Sequence, residues 1–175
     1  MNQFLGCLLL LLTFSQPIQA QKTYSLRWQS ELALSGVGLG TAATGFVLGK
    51  KIKPLQPSEI ALLNRSDLWT IDRKASYRFS NQANRASDVV FYAATLAPVV
   101  LLLADSKARK ETGTISMLYL ETLTVTGGLT LMTKNLAKRP RPYLYNPNVP
   151  SQLQQRPDAR KSFFSGHTSS TAASC

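Results

Sequence analysis

LALSGVGLGTAATGFVLG, residues Leu32–Gly49, is an uncharged stretch of 18 residues, close to the shortest helix that crosses a membrane. Its glycines include two pairs spaced four residues apart, Gly36 with Gly40 and Gly45 with Gly49. Because small residues at this spacing let two helix backbones approach closely, we predict that both pairs form a packing face. A nucleotide-binding loop is disfavoured, since no strand precedes these glycines and no Lys-Ser or Lys-Thr follows Gly45.

A second apolar segment, Ala86–Ala104, is also long enough to span a membrane. Ser87 followed by Asp88 is typical of a helix start, so we predict that the helix begins there. Pro98 lies inside the segment and should kink the helix without preventing a span, because neighbouring groups can satisfy the freed carbonyl.

The third segment, Thr114–Thr133, is more polar and contains one acidic residue, Glu121. Ionisable groups at membrane depth are costly and usually face a bundle interior or water. Two interpretations stay open: Glu121 pairs with a basic residue in a shallow helix, or it has a functional role adjacent to the site. Together the three segments predict an all-α, membrane-associated helical bundle.

The N-terminus resembles a secretory leader. Phe4–Phe14 is a short apolar run, and Pro17–Ala20 is typical of a cleavage site. We predict a signal peptide over residues 1–20, with an uncleaved anchor as the alternative, and one domain over residues 21–175. The only two cysteines are Cys7 and Cys175, so removal of the leader leaves a single thiol and no cysteine cluster for a metal.

The chain is strongly basic, with 20 Lys and Arg against 9 Asp and Glu, a net charge of +11 and a pI near 10.0. It should therefore bind anions. Residues Lys50–Arg85 carry eight basic and three acidic residues among scattered apolar ones, a composition typical of a membrane-surface segment. These charges flank apolar spans and do not line one groove-fitting element, so nucleic acid is not a predicted partner. No protein partner can be inferred.

Four cations occur within eight residues where the third segment ends, in the stretch KNLAKRPRP that begins at Lys134. One interpretation is that Lys138 and Arg139 bind acidic lipid head groups. The other concerns Lys134 and Arg141, which lie seven residues apart. A helix running most of that way would project both side chains to the same side, where an ammonium and a guanidinium could converge on a phosphate.

The stretch Ser165-Gly166-His167 holds the only histidine of the chain. Ser165 is typical of a helix cap, and Gly166 permits close backbone approach. A helix that starts here points free N–H groups at an anion. His167 could then give a proton to a leaving oxygen near neutral pH.

Lys134, Arg141-Pro142 and Ser165-Gly166-His167 resemble the first two signature motifs of the type-2 phosphatidic-acid phosphatase and vanadium haloperoxidase superfamily. The resemblance implies a helical, usually membrane-embedded hydrolase of lipid or isoprenoid phosphate and diphosphate esters that needs no metal or other cofactor. It implies that Lys134, Arg141, Ser165 and Gly166 bind the phosphoryl group and that His167 protonates the leaving alcohol. Vanadate would be a cofactor only in the alternative activity, halide oxidation.

Two features depart from the family pattern. Phe164 stands where proline commonly precedes Ser-Gly-His, and no second histidine is present to match the third motif, which supplies the nucleophile. We therefore expect an incomplete domain, truncated before its C-terminal helices and without turnover. The alternative function is a non-catalytic membrane protein that binds anionic lipid or phosphate.

Two arguments predict opposite orientations of the site in the membrane. Lys50–Arg85 has a net charge of +5 and Lys134–Lys161 of +6, whereas Asp105–Glu111 has +1, so the positive-inside tendency would place the motif loop in the cytoplasm. The resemblance implies an extracytoplasmic site. We predict an extracytoplasmic site. A phosphate site needs basic residues on whichever side of the membrane it lies, so these charges do not by themselves indicate the cytoplasm.

Overall fold

The computed structural model describes residues 26–175, so the predicted signal peptide, residues 1–20, lies outside the described residues. Within this range the chain forms eight α-helices and no strand, which confirms the all-α prediction. The helices are α1 (Trp28–Lys50), α2 (Pro57–Ala61), α3 (Thr70–Arg73), α4 (Asn81–Ala104), α5 (Ser106–Lys110), α6 (Thr112–Ala137), α7 (Ser151–Gln154) and α8 (Gly166–Ala173). Short 3-10 turns lie at Arg65–Asp67, Ala75–Tyr77, Pro142–Tyr145 and Pro157–Arg160.

Helices α1, α4 and α6 are long and apolar enough to cross a membrane. Their large apolar side chains are widely exposed, as at Leu39 on α1 (64%) and Leu101 on α4 (66%). An apolar surface of this extent is typical of helices that face lipid. The three predicted segments are therefore the three long helices of a membrane-type bundle.

Helix α4 begins earlier than the sequence predicts. Its first residue is Asn81, and the Ser80 hydroxyl caps it by accepting a hydrogen bond from the Ala83 N–H at 3.2 Å. The predicted start at Ser87 is therefore wrong, because a second polar residue seven positions upstream provides the cap. Pro98 lies within the helix, which continues through it to Ala104, so the span is uninterrupted as predicted, and the kink stays a prediction.

Helices α1 and α6 pack in parallel with little space between them. A Cβ atom added at Gly38 would lie 3.0 Å from the backbone nitrogen of Val125, and one added at Gly45 would lie 2.7 Å from that of Met132. The two contacts advance in the same direction along both helices, which establishes the parallel arrangement. Glycine is needed at these positions because backbone atoms oppose them.

The predicted packing face is only half correct. Gly45 and Gly49 do face α6, and a Cβ at Gly49 would lie 2.9 Å from the Asn135 Nδ2 atom. Gly36 and Gly40 have no atom within 4 Å of an added Cβ, so they lie away from the partner helix. The contacts run through Gly38, Gly45 and Gly49. The four-residue spacing predicts Gly45 and Gly49 but not Gly38.

The parallel arrangement brings the segments that follow α1 and α6 to the same end of the bundle. There Leu55, Leu144 and Ala159 form a small buried cluster. The Arg65 Nε atom donates to the Tyr145 carbonyl at 3.1 Å, which joins the two segments further. This end of the molecule therefore has its own packed cap, and the cap positions the basic residues described below.

Glu121 lies at neither of its two predicted places. Its carboxylate is buried between α1 and α6 and accepts a hydrogen bond from the Ser35 hydroxyl at 3.1 Å. No basic side chain among residues 26–175 forms an ion pair with it. It also precedes Lys134 by 13 residues, about 20 Å along the helix. Glu121 therefore neither pairs with a cation nor adjoins the candidate site.

Candidate functional site

A cavity of about 380 Å³ opens at the end of α6, beside the start of α8. Five residues selected from the sequence line it together: Lys134, Arg141, Ser165, Gly166 and His167. They come from three separate parts of the cap, namely the last turn of α6, the strand-like segment after it and the first turn of α8. The structure thus brings together all the predicted site residues, and their chemical roles stay predictions.

Lys134 reaches the start of α8 because Gly166 has no side chain to block it. A Cβ atom added at Gly166 would lie 3.2 Å from the Lys134 Nζ atom and 3.7 Å from the Thr130 side chain. The absence of a side chain at Gly166 therefore lets the ammonium group lie against the first helical turn. The result is a cation directly beside a set of backbone N–H groups.

Arg141 reaches the cavity by a different route from the predicted one. Helix α6 ends at Ala137, Lys138 takes a left-handed conformation with φ 46°, and Arg141 is extended. The expectation that one helical face carries both Lys134 and Arg141 is therefore wrong. The left-handed residue and the following prolines reverse the chain, and that reversal returns Arg141 toward Lys134.

Asp158 holds the Arg141 side chain at the cavity. The guanidinium forms an ion pair with the Asp158 carboxylate at 2.5 Å, and Nε donates to the Asp158 carbonyl at 3.1 Å. The Arg141 backbone N–H donates to the Ala159 carbonyl at 2.8 Å. The carboxylate is largely exposed, with 56% of its side-chain surface accessible, so it leaves a partly screened cation facing the cavity.

Ser165 begins α8 as the sequence predicts. Its hydroxyl accepts a hydrogen bond from the Thr168 N–H at 3.3 Å. The first N–H groups of the helix have no partner inside the helix, and they carry the positive end of its dipole. Together with the two cations, they make this end of the cavity suited to an anion with several oxygens.

His167 contacts three residues on one side of α4. Its Nδ1 atom lies 3.1 Å from the Ser87 hydroxyl, and its Nε2 atom lies 3.3 Å from Asp88 Oδ1. The imidazole also packs on Phe91, with ring centroids 4.8 Å apart. A carboxylate accepts hydrogen bonds and does not donate them, so the arrangement favours a hydrogen on Nε2.

The model of the PAP2 superfamily matches residues 115–175. This part of the chain resembles PAP2 proteins. The matched range contains all five predicted site residues, so the resemblance seen in the motifs is confirmed there, and it indicates phosphatase-type chemistry. No curated protein and no solved structure matches the chain.

Several cavity residues precede the PAP2 region and were missed by sequence reasoning. Arg78 and Asn84 line the cavity from the α4 side, and Ser87 and Asp88 contact His167 from the same helix. Arg78 belongs to a segment whose composition predicts only a membrane-surface location. Ser87 and Asp88 predict a helix start, and no local signal indicates their contact with a residue 80 positions away in the chain.

Lys161 is a further cation that the PAP2 motifs do not include. It lines the same cavity as Lys134 and Arg141. Within residues 26–175, no three His, Cys, Asp or Glu side chains lie close enough together to hold a metal ion. The groups that this part of the chain does gather are cationic, and they suit a phosphate-bearing ligand.

Arg139 does not face lipid head groups, which corrects one of the two interpretations given to its stretch. Its guanidinium forms an ion pair with Asp72 and lies over the Trp69 ring at 4.2 Å from the centroid. The residue thus fastens the segment between α1 and α4 to the end of α6. Lys138, its neighbour, stays exposed.

Proposed function

We propose that residues 26–175 form the phosphate-binding part of a phosphatase that acts on lipid or isoprenoid phosphate or diphosphate esters without a metal ion. The observation that carries the proposal is the convergence of Lys134, Arg141 and the first turn of α8 on one cavity. The exposed apolar helices beside this cavity suit a substrate whose phosphate is attached to a hydrophobic tail.

In the proposed binding mode, the Lys134 ammonium and the Arg141 guanidinium contact the nonbridging phosphoryl oxygens. The guanidinium can supply two parallel donors, whereas the ammonium acts as a point charge. The Ser165 hydroxyl and the Gly166 N–H complete the set of donors. Charge that develops on these oxygens during transfer is then stabilised by groups already in position.

His167 is proposed to give its Nε2 hydrogen to the leaving oxygen. For that transfer the imidazole must release its contact with Asp88, because the same nitrogen faces the carboxylate at 3.3 Å. The 175 residues contain no second histidine to act as the nucleophile. We therefore propose that this chain binds phosphate and has no turnover above background. Turnover that is abolished in His167→Ala would contradict that part of the proposal.

A second candidate function is non-catalytic binding of anionic lipid or phosphate. The observation that favours it is that both ring nitrogens of His167 already have partners, Ser87 and Asp88. In this second candidate, His167 keeps both contacts and connects α8 to α4. The two candidates share the phosphate cavity and differ in whether the imidazole hydrogen is transferred.

The proposed location is a membrane, with the cavity facing the extracytoplasmic side. Because α1 and α6 run in parallel, the basic segments Lys50–Arg85 and Lys134–Lys161 both belong to the end of the bundle that holds the cavity. Four cations of this end line the cavity, namely Arg78, Lys134, Arg141 and Lys161. Phosphate binding therefore explains part of the charge at this end whatever the orientation in the membrane.

The experiment is a calorimetric titration of the detergent-solubilised chain with inorganic phosphate and with vanadate. We expect millimolar affinity, which corresponds to about 4 kcal/mol. Arg141→Lys keeps the charge and removes one of the two parallel donors. Because a hydrogen bond to a charged group contributes about 1.5 kcal/mol, affinity should fall about tenfold.

Lys138→Gly is the matched control, since it removes a cation that lies three residues away and does not line the cavity. It should leave phosphate affinity unchanged. If both substitutions weaken binding equally, and moderate salt removes both effects, the anion is bound by a diffuse basic surface. The proposal of a defined phosphate site would then be wrong.

A further inference from the structure

A second basic concavity lies at the same end of the bundle and shares no residue with the phosphate cavity. It has a volume of about 360 Å³ and is bounded by the ends of α1 and α6 and by the turn at Pro157–Arg160. Three lysines line it: Lys51, Lys53 and Lys138. We call it the lysine pocket.

Within the described part of the chain, no carboxylate pairs with the lysines of this pocket. Among residues 26–175, none of the three lysines forms an ion pair. One carboxylate, Glu59, lines the pocket, and it is already held by Arg160 at 2.6 Å and by the Gln56 N–H at 2.8 Å. Three ammonium groups therefore share one concavity without an anionic partner.

Arg160 adds a fourth cation to the lining of the lysine pocket. Its terminal nitrogen pairs with Glu59, but its Nε atom is buried and has no hydrogen-bond partner. The Arg160 side chain keeps 25% of its surface exposed and lines the lysine pocket, so an anion bound there could contact its guanidinium group.

The backbone conformation of Lys138 also supports a binding role for this pocket. This residue closes α6 in the left-handed conformation, with φ 46° and ψ 32°. Glycine is the usual residue at such a helix end, because a side chain makes the conformation unfavourable. A lysine here carries a conformational cost that a ligand-binding side chain would explain.

A structural explanation for these lysines is that they complement the negative ends of two helix dipoles. That explanation accounts for their positions after α1 and α6. It does not account for Arg160, which belongs to the turn at Pro157–Arg160 and lines the same pocket. It also predicts no preference between one lipid and another.

We propose that the lysine pocket binds the phosphodiester head group of an anionic membrane lipid. The pocket lies at the ends of two apolar spans, which is the height at which lipid phosphates lie. Ile52 and Pro54 add apolar surface to its lining, suited to the first carbons of the lipid. The bound lipid would fasten the ends of α1 and α6 to the membrane beside the phosphate cavity.

The test measures lipid binding to the full chain in detergent by native mass spectrometry, with phosphatidylglycerol and phosphatidylcholine as probes. Phosphatidylglycerol is anionic and is a phosphodiester, so it is distinct from the proposed phosphate-monoester substrates. We expect tighter binding of phosphatidylglycerol than of phosphatidylcholine. Lys53→Gln should weaken the binding of phosphatidylglycerol about fivefold, the effect of one lysine near a membrane surface.

Lys74→Gln is the matched control, because Lys74 is also exposed between α1 and α4 but does not line the lysine pocket. It should leave lipid binding unchanged. Lys138→Gly should weaken lipid binding without lowering the melting temperature, since glycine suits the left-handed backbone. A melting temperature that falls in this variant would support the purely structural role and overturn the proposal.

Two further outcomes would also overturn it. Equal loss in Lys53→Gln and Lys74→Gln would mean that the lipid is held by diffuse charge. Displacement of phosphatidylglycerol by an equal concentration of inorganic phosphate would mean that free phosphate is the ligand. Arg141→Lys separates this site from the phosphate cavity, because it should weaken phosphate binding and leave lipid binding intact.

Discussion

Gly128 is the position where a single methyl group should most disturb the bundle. It lies on α6 at the contact with α1, and an added Cβ would lie 2.5 Å from the Gly38 carbonyl oxygen and 3.0 Å from the Ala42 backbone nitrogen. Both atoms belong to the backbone of a helix, so no side-chain rotation can relieve the overlap. Gly128→Ala must therefore push the two helices apart.

The size of the effect follows from these distances. A carbon and a carbonyl oxygen normally approach to about 3.3 Å or more, so the backbones must separate by about 1 Å at this point. Overpacking of this kind costs about 1 to 3 kcal/mol. Alanine offsets up to about 1 kcal/mol of that cost, because it is the better helix former. Net destabilisation of about 0 to 2 kcal/mol is expected.

Gly127→Ala provides the control one residue away. An added Cβ at Gly127 has no atom within 4 Å, so this variant should show only the gain in helix propensity. The measurement is reversible unfolding of both variants in mixed micelles, monitored by circular dichroism. If Gly128→Ala is as stable as Gly127→Ala, then α1 and α6 do not pack in this register and the parallel arrangement is wrong.

Three further predictions concern the cap. Hydrogen bonds from the Gln56 N–H and Arg160 hold the pKa of Glu59 below its ordinary value, so its contribution to stability is complete above that value and is lost as the pH falls through the lowered one. Unfolding of Glu59→Gln should therefore differ from wild type at neutral pH and converge with it in acid. Asp88→Asn should shift the single imidazole toward the Nδ1–H tautomer, seen in its ¹⁵N resonances, whereas Asp105→Asn should not; identical spectra for Asp88→Asn and wild type would contradict the contact. Single cysteines in the Tyr143–Lys161 loop should react with an impermeant reagent on intact cells, and reaction only after the inner membrane is opened would reverse the proposed orientation.

The long helices and the start of α8 were predictable because each depends on local sequence. A span needs an uninterrupted apolar run, and a cap needs a serine before the first turn. Both signals are contained within one segment, as Ser165 illustrates with its bond to the Thr168 N–H. No knowledge of the rest of the chain is required to recognise them.

The route by which Arg141 meets Lys134 was not predictable from spacing. Seven residues match two helical turns, but the helix ends at Ala137 and the chain reverses at Lys138. The correct juxtaposition arises because the Arg141 N–H bonds to the Ala159 carbonyl, 18 residues further along the chain. Spacing therefore predicts correctly that Lys134 and Arg141 lie close together, but the cause is the chain reversal and not a shared helical face.

The contacts of His167 with α4 mark where sequence reasoning stops. Ser87 and Asp88 carry a strong local signal for a helix start, and a cap at Ser80 overrides it. Their actual partner lies in a different motif, outside any local pattern. Only the packing of α8 between α4 and α6 shows that a lone histidine, a serine and a carboxylate meet.

Asn135 connects the packing of the long helices with the geometry of the phosphate cavity. It is fully buried on α6, and its Nδ2 atom donates to the Gly45 carbonyl of α1 at 2.7 Å. Gly49 has no side chain that would displace this amide. Lys134 is the residue next to Asn135, so the bond that fixes the rotation of α6 against α1 also fixes the direction in which Lys134 leaves the helix. The glycines of the first span, whose sequence suggests only close packing, thereby help to aim a cation of the candidate site at the start of α8.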